Sequence, residues 1–325
     1  MATALVATAC GGSGGAGSDL VDVGAGLKGR AGLHAAVYAK GLANASALAL
    51  DPQGRLWVAT ADYDAGNDEV YVVDSAGAAP KQVLSGLDSP LGLLWHDGAL
   101  YVASIAGVDR YDGFDGAAFA RHRSLLALPE GVGLPGGLVL GPDGRMRLGI
   151  SAPCDSCEPE QDWSAAVLSF LPDGADVRVE ATGIRAPVGL AYYPGTADLF
   201  VTMNQRDDLG DATPGDWLSI VKPEQDWGFP DCYGQCSSTP QPTAVLDKHA
   251  AVSGVAIVNG AAIVAEWAVG RVQRVALTKT ADGYAATVTP FLTGVKQPVP
   301  VLAGPNGDVF VGDWATGTIY RVSSA

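Results

Sequence analysis

Short apolar runs come in pairs along most of the chain, each pair split by a polar turn that contains glycine. They read ALALDPQGRLWVA, LGLLWHDGALYVAS, GLVLGPDGRMRLGI, VGLAYYPGTADLFVT, GVAIVNGAAIVAEW and VPVLAGPNGDVFVGD. Runs this short, rich in Val, Leu and Ile and bounded by Gly, Pro, Asp and Asn, predict antiparallel hairpins of buried strands. The turn glycines Gly54, Gly98, Gly144, Gly195, Gly260 and Gly307 are spaced by 44, 46, 51, 65 and 47 residues. A period in the forties with several short strands per unit predicts an all-β fold, a six-bladed β-propeller with four-stranded blades.

Labelling the strands A to D from the axis outward, the sixth repeat stops after GTIYRV and lacks its strand D. The segment GLHAAVYAKGL, residues 32–42, precedes the first strand A and reads as the strand that closes the last blade. Such closure removes an exposed sheet edge. The expected organisation is a single propeller domain over residues 26–325, preceded by a disordered tether or signal remnant over 1–25.

Antiparallel A and B strands put the A–B hairpins at one end of the propeller and the loops leaving strand B at the other. The hairpins are short turns such as DPQG and GPDG. The opposite end receives TADYDAGNDE, SAPCDSCEPEQDWS and MNQRDDLGDATPGD. Long loops on a rigid scaffold are where binding residues collect, so function is expected on that face. It is rich in carboxylates and offers few cations, namely Arg185, Arg206, Arg271 and Lys296. In residues 203–217 a hard cation such as calcium would draw on Asp207, Asp208, Asp211, Asp216 and backbone carbonyls near Arg206. The alternative is a solvated acidic loop.

The chain has 325 residues, 48% of them apolar, and a formal charge of −15 with a sequence pI near 4.5. That charge excludes nucleic acid and anionic membrane surfaces as natural partners. Four of the five cysteines form two close pairs, CDSC (Cys154, Cys157) and CYGQC (Cys232, Cys236). Both pairs sit in acidic loops without basic neighbours, which favours disulfides over zinc and implies an oxidising compartment, periplasmic or extracellular. Three connectivities remain open. Cys10, in TALVATACGGSGGAGSD, resembles a bacterial lipoprotein processing site and would carry a lipid anchor; the plain alternative is an unpaired cysteine in a tail.

The stretch 181–234, ATGIRAPVGLAYYPGTADLFVTMNQRDDLGDATPGDWLSIVKPEQDWGFPDCYG, resembles the soluble quinoprotein sugar dehydrogenases. These are the PQQ-dependent glucose and sorbosone dehydrogenases, and the likeness is greatest to the sorbosone type. The resemblance rests on an Arg-x-Pro-x-Gly-Leu segment, the acidic loop, an Asp and an aromatic-Gly-aromatic-Pro close. It implies a six-bladed propeller that oxidises an aldose or sorbosone-like sugar with PQQ and calcium. It further implies that Arg185 reaches cofactor and substrate, that Gln205, Arg206, Lys296 and Gln297 lie along the cofactor, and that carbonyls near Arg206 and Asp207, with Asp216, belong to the calcium site. The pattern departs in three places: Gly133 stands where the family has its catalytic histidine, Ala186 follows the motif arginine in place of Asn, and Gln297 replaces an arginine.

His249, just before the fifth strand A, is the histidine that could act as base in its stead. Three functions follow as expectations: a sugar dehydrogenase, a sugar- or ligand-binding propeller that has lost PQQ chemistry, or a calcium-dependent lactonase drawing on Glu266 and Asp313. Trp227 and Phe229 are expected to pack, and Trp267 and Trp314 to line the well or pack between blades.

Overall fold

A computed structural model describes residues 20–63, 66–234 and 236–324. Cys10 lies outside the described residues. The chain forms six sheets, each an antiparallel blade built from one of the repeats. Their inner strands are Ala45–Leu50, Gly92–His96, Pro135–Leu140, Pro187–Tyr192, Val252–Val258 and Pro298–Ala303. Each contacts the next and the sixth contacts the first, so the inner strands close a ring. The six hairpin glycines all adopt positive φ, between 70° and 81°, the conformation that a side chain disfavours and a tight turn requires.

Strand B is fully buried in every blade. It is flanked in its own sheet by A and C and covered on both faces by neighbouring blades. That explains why these strands read as continuous apolar runs, with no alternation. Between the first two blades Trp57 stacks on Trp95 at 4.9 Å and meets Phe114 edge-on at 4.9 Å. Each such buried aromatic contributes on the order of 2 kcal/mol through the surface it removes from water.

The last blade closes as the repeats predict. Thr318–Ser324 pairs antiparallel with Leu33–Ala39. Two additions were not foreseen. Val21–Gly24 and Leu27–Gly29 form a hairpin that pairs through Lys28 and Gly29 with Thr293 and Leu292, extending the fifth blade outward. Val23 and Leu27 are buried in the core with Leu292, so a tether ending at residue 25 is too long: the ordered chain includes residues 20–25. In the third blade, Gln225–Asp226 joins the outer strand Arg178–Thr182 in parallel. Both additions cover edges that would otherwise present unpaired backbone groups. Among the described residues no helix is long and apolar enough to cross a membrane.

Candidate functional site

The ring of inner strands encloses a cavity of about 1150 Å³ along the propeller axis. Its wall is mostly apolar and all six inner strands contribute. Polar and aromatic groups gather towards the end where the long loops emerge: Asp62, Tyr63, Ser151, Arg185, Asn204, Trp267 and Trp314 line it there. These residues lie on the face where the sequence places the long loops. Trp267 and Trp314, 6.3 Å apart and edge-to-face, both line it, and the indole of Trp314 is fixed by donating to the Ala61 carbonyl at 2.9 Å.

Arg185 is the one cation among the described residues lining the well. Its Nη2 is bonded to Asp155, and its Nη1 donates to the Asn204 carbonyl at 3.4 Å. Two buried atoms of this wall, Nε of Arg185 and Oδ1 of Asn204, have no hydrogen-bond partner within the protein. A buried donor or acceptor left without a partner costs on the order of 1–3 kcal/mol unless a ligand or water meets it. Asn204 was missed in the sequence. The signal available was its place directly after strand B, next to Gln205 and Arg206.

The acidic loop is organised differently from a cation cradle. Asp208 takes both branches of Arg206 at 2.6 and 2.7 Å and a bond from the Ser156 hydroxyl at 3.2 Å; Arg206 holds its carboxyl down at about 2. The Arg206 guanidinium also lies 4.8 Å over the Tyr233 ring. Asp207 bonds to His249 at 2.7 Å. Asp211 is exposed, and its carbonyl accepts from Lys248 at 3.1 Å. Asp216 is only 2% exposed. Its carboxylate accepts from the backbone N–H groups of Gln205 at 2.8 Å and Val252 at 3.2 Å, and burial raises its pKa to about 6. The carboxylates of Asp207, Asp208 and Asp216 are thus already committed to protein partners. Among the described residues no three His, Cys, Asp or Glu side chains converge on a point that could hold a metal.

The expected calcium set of Arg206, Asp207, Asp208, Asp211 and Asp216 is therefore scattered, and the side chains present do not fit a carboxylate-bound cation. The lactonase set fares no better. Glu266 is fully buried against Arg271, and Asp313 is bound by the N–H groups of Lys296, Gln297 and Ala315.

His249 does not reach the well. Its Nδ1 faces Asp207 and its Nε2 faces the Gly210 carbonyl at 2.9 Å. A carbonyl has no proton to give, so Nε2 donates to it, while Nδ1 meets the Asp207 carboxylate. Asp207 first, and the Gly210 carbonyl second, push the imidazole above its ordinary value. In this arrangement His249 is a latch across the acidic loop, and the base role expected of it is not supported.

The remaining expected contacts also lie elsewhere. Gln205 is buried, with its side chain beside Trp217 and Trp227, which stack at 4.4 Å as packing residues. Lys296 and Gln297 are absent from the wall of the well; their N–H groups donate to Asp313 at 3.0 and 3.1 Å. Gly133 does line the well, but a Cβ there would lie 2.1 Å from the Ser151 carbonyl oxygen and 2.6 Å from that of Ala152. The backbone has closed over the place where a histidine would stand. The cysteines pair within their own loops, Cys154 with Cys157 and Cys232 with Cys236, which settles the open connectivity.

A planar cofactor with three carboxylates needs compensating cations in a partly desolvated site. The well has the volume for PQQ and one anchor, Arg185, whose charge is already met by Asp155. On charge the described residues do not fit this group.

No protein-family model matches the chain, and no curated protein matches it. Solved structures do. The PQQ-bound form of an aldose sugar dehydrogenase from Streptomyces coelicolor is 20% identical, with a TM-score of 0.74 over 91% of this chain and 99% of that one. The holo PQQ domain of a pyranose dehydrogenase from Coprinopsis cinerea is 15% identical, with a TM-score of 0.76 over 91% and 97%. A calcium structure of a Trichoderma reesei carbohydrate-active enzyme of family AA12 is 14% identical, with a TM-score of 0.75 over 95% and 100%. Likeness at this level of identity establishes that the chain shares the fold of these proteins.

Proposed function

We propose that the protein is a sugar-binding propeller on the sugar-dehydrogenase scaffold, with a neutral sugar or related polyol seated in the axial well. The observation that carries this is the unpartnered pair on the well wall, Nε of Arg185 and Oδ1 of Asn204. A sugar hydroxyl reaching this wall would satisfy either atom, accepting from the guanidinium or donating to the amide oxygen. The Trp267 and Trp314 rings beside it supply the apolar surface that sugar C–H faces pack against. The neighbours named for aldose and pyranose sugars supply the ligand class. Two disulfides support a location outside the cytoplasm.

A second reading, PQQ- and calcium-dependent oxidation of an aldose or sorbosone-like sugar, is favoured by the PQQ-bound neighbours and by the volume of the well. Gly133 and the Arg185–Asp155 pair weigh against it, and no proton transfer is assigned through such a cofactor. The discriminating experiment is calorimetric titration with a panel of aldoses, beside a dye-coupled oxidation assay with PQQ and calcium. Saturable aldose binding without turnover, weakened in Asn204→Ala, is expected. Quinone-dependent turnover would establish the second reading, and neither binding nor turnover would remove both.

A further inference from the structure

The cation of the well is paired with a side chain that does not line the well. Cys154 and Cys157 close a small ring containing Asp155 and Ser156. Ser156 bonds to Asp208 at 3.2 Å, tying the ring to the acidic loop. Asp155 bonds to Nη2 of Arg185 and also receives the N–H of Asp207 at 3.4 Å. Arg185 is mostly buried, with a side chain 19% exposed, while that of Asp155 is 38% exposed. With Nη1 on the Asn204 carbonyl and Nη2 on Asp155, Nε is the guanidinium nitrogen that has no partner within the protein. An incoming carboxylate thus meets a neutralised ion pair in a chain of net charge −15.

We propose that Asp155, held by the Cys154–Cys157 ring, sets the charge selectivity of the well: by cancelling Arg185 it favours neutral polyols over carboxylated ligands. The proposal rests on the reading of the well as a sugar site, and extends it to a residue that acts through Arg185 as a positioning residue. Desolvated like-charge encounters are what exclude wrong partners at such sites, whereas an unpaired guanidinium attracts them. The disulfide matters because it fixes the short backbone segment that aims Asp155 inward; a free loop would let the carboxylate turn to water.

The test is isothermal titration of the full chain and its Asp155→Asn, Asp155→Glu and Asp155→Asn/Arg185→Met variants with D-glucose, D-glucuronate and PQQ. Asp155→Asn is expected to raise the ratio of glucuronate to glucose affinity by about tenfold or more, and to raise PQQ affinity similarly. Asp155→Glu should restore the wild-type ratio, and adding Arg185→Met should abolish the gain. A purely structural role would weaken all three ligands together. An unchanged ratio in Asp155→Asn, or PQQ binding as tight in the wild type as in the variant, overturns the proposal. If glucose binds neither protein but Asp155→Asn gains both anions, the selectivity device stands and the sugar reading falls. If glucose binds both and no anion gains, the reverse holds. Should Asp155→Asn not fold, Asp155→Ser carries the same expectations.

Discussion

Asp68 and Asp216 occupy the same place in the first and fourth blades. Each stands at the loop end of strand B's outer neighbour, each is 2% exposed, and each carboxylate bridges two backbone N–H groups. One N–H comes from the loop leaving strand B, Asp62 at 2.9 Å or Gln205 at 2.8 Å; the other comes from the start of the next blade, Ser89 at 2.7 Å or Val252 at 3.2 Å. The repetition marks Asp216 as a blade-to-blade bracket. Asp68→Asn and Asp216→Asn are each expected to lower stability by about 1–3 kcal/mol, because the amide's N–H₂ faces a backbone donor. Denaturant unfolding checks this. Excess chelator should leave the wild-type Tm unmoved; a large chelator-dependent fall would return Asp216 to a calcium site.

The same bracket predicts an acid-shifted stability profile. The carboxyl of Asp216 has a folded value near 6 against an ordinary 3.8. Its contribution, on the order of 3 kcal/mol for about two pH units, is present below the ordinary value and lost as pH rises through about 6. His249, also raised, acts in the same direction, favouring the fold below its ordinary 6.5 and releasing it above. Asp208, lowered to about 2, favours the fold above its ordinary 3.8 and fails only as pH falls towards 2. Tm is therefore expected to peak between about pH 4 and 6 and to decline towards alkaline pH. Asp216→Asn should lessen the decline, leaving the part owed to Glu266, which burial raises to about 7. A Tm that climbs steadily from about pH 5 to about pH 8 contradicts the assignment.

Removing the latch is a milder change. His249→Ala leaves Asp207 without its partner, yet the pair is solvent-facing, with side chains 41% and 63% exposed, and such pairs contribute little to global stability. The expected effect is a nearly unchanged Tm with faster proteolysis within residues 204–216. Ligand binding in the well should persist, which calorimetry reports directly; its loss would place His249 in the site after all.

Rebuilding a catalytic imidazole at position 133 should fail. Gly133→His drives a Cβ against the Ser151 and Ala152 carbonyls, and overpacking against backbone costs about 1–3 kcal/mol or more. A clear drop in Tm with no gain in dye-coupled oxidation is expected. Restored turnover at wild-type stability would show that the backbone yields there.

The blade number, the hairpin face and the closing strand were legible because turn chemistry and apolar pairing are local. Gly54 and Gly307 state their turns within four residues. The roles of the acidic residues were not legible for the opposite reason. Whether Asp216 is solvated or sealed depends on the N–H of Val252, 36 residues away, and nothing near Asp155 indicates that it meets Arg185, 30 residues on. Counting carboxylates on one face suggested mutual repulsion relieved by a cation. In the fold they are relieved one at a time by guanidinium groups, an imidazole and peptide N–H groups. The hairpin Val21–Gly29 escaped notice because its partner is Thr293, at the far end of the sequence.

The sheet that joins Leu33–Ala39 to Thr318–Ser324 has a consequence for biogenesis. The earliest of these strands to leave the ribosome must wait, unmated, for the last. Five blades could assemble while synthesis continues, but the circle is sealed only once Thr318–Ser324 has emerged, so a translation product interrupted before it would carry two raw borders and invite capture by quality control.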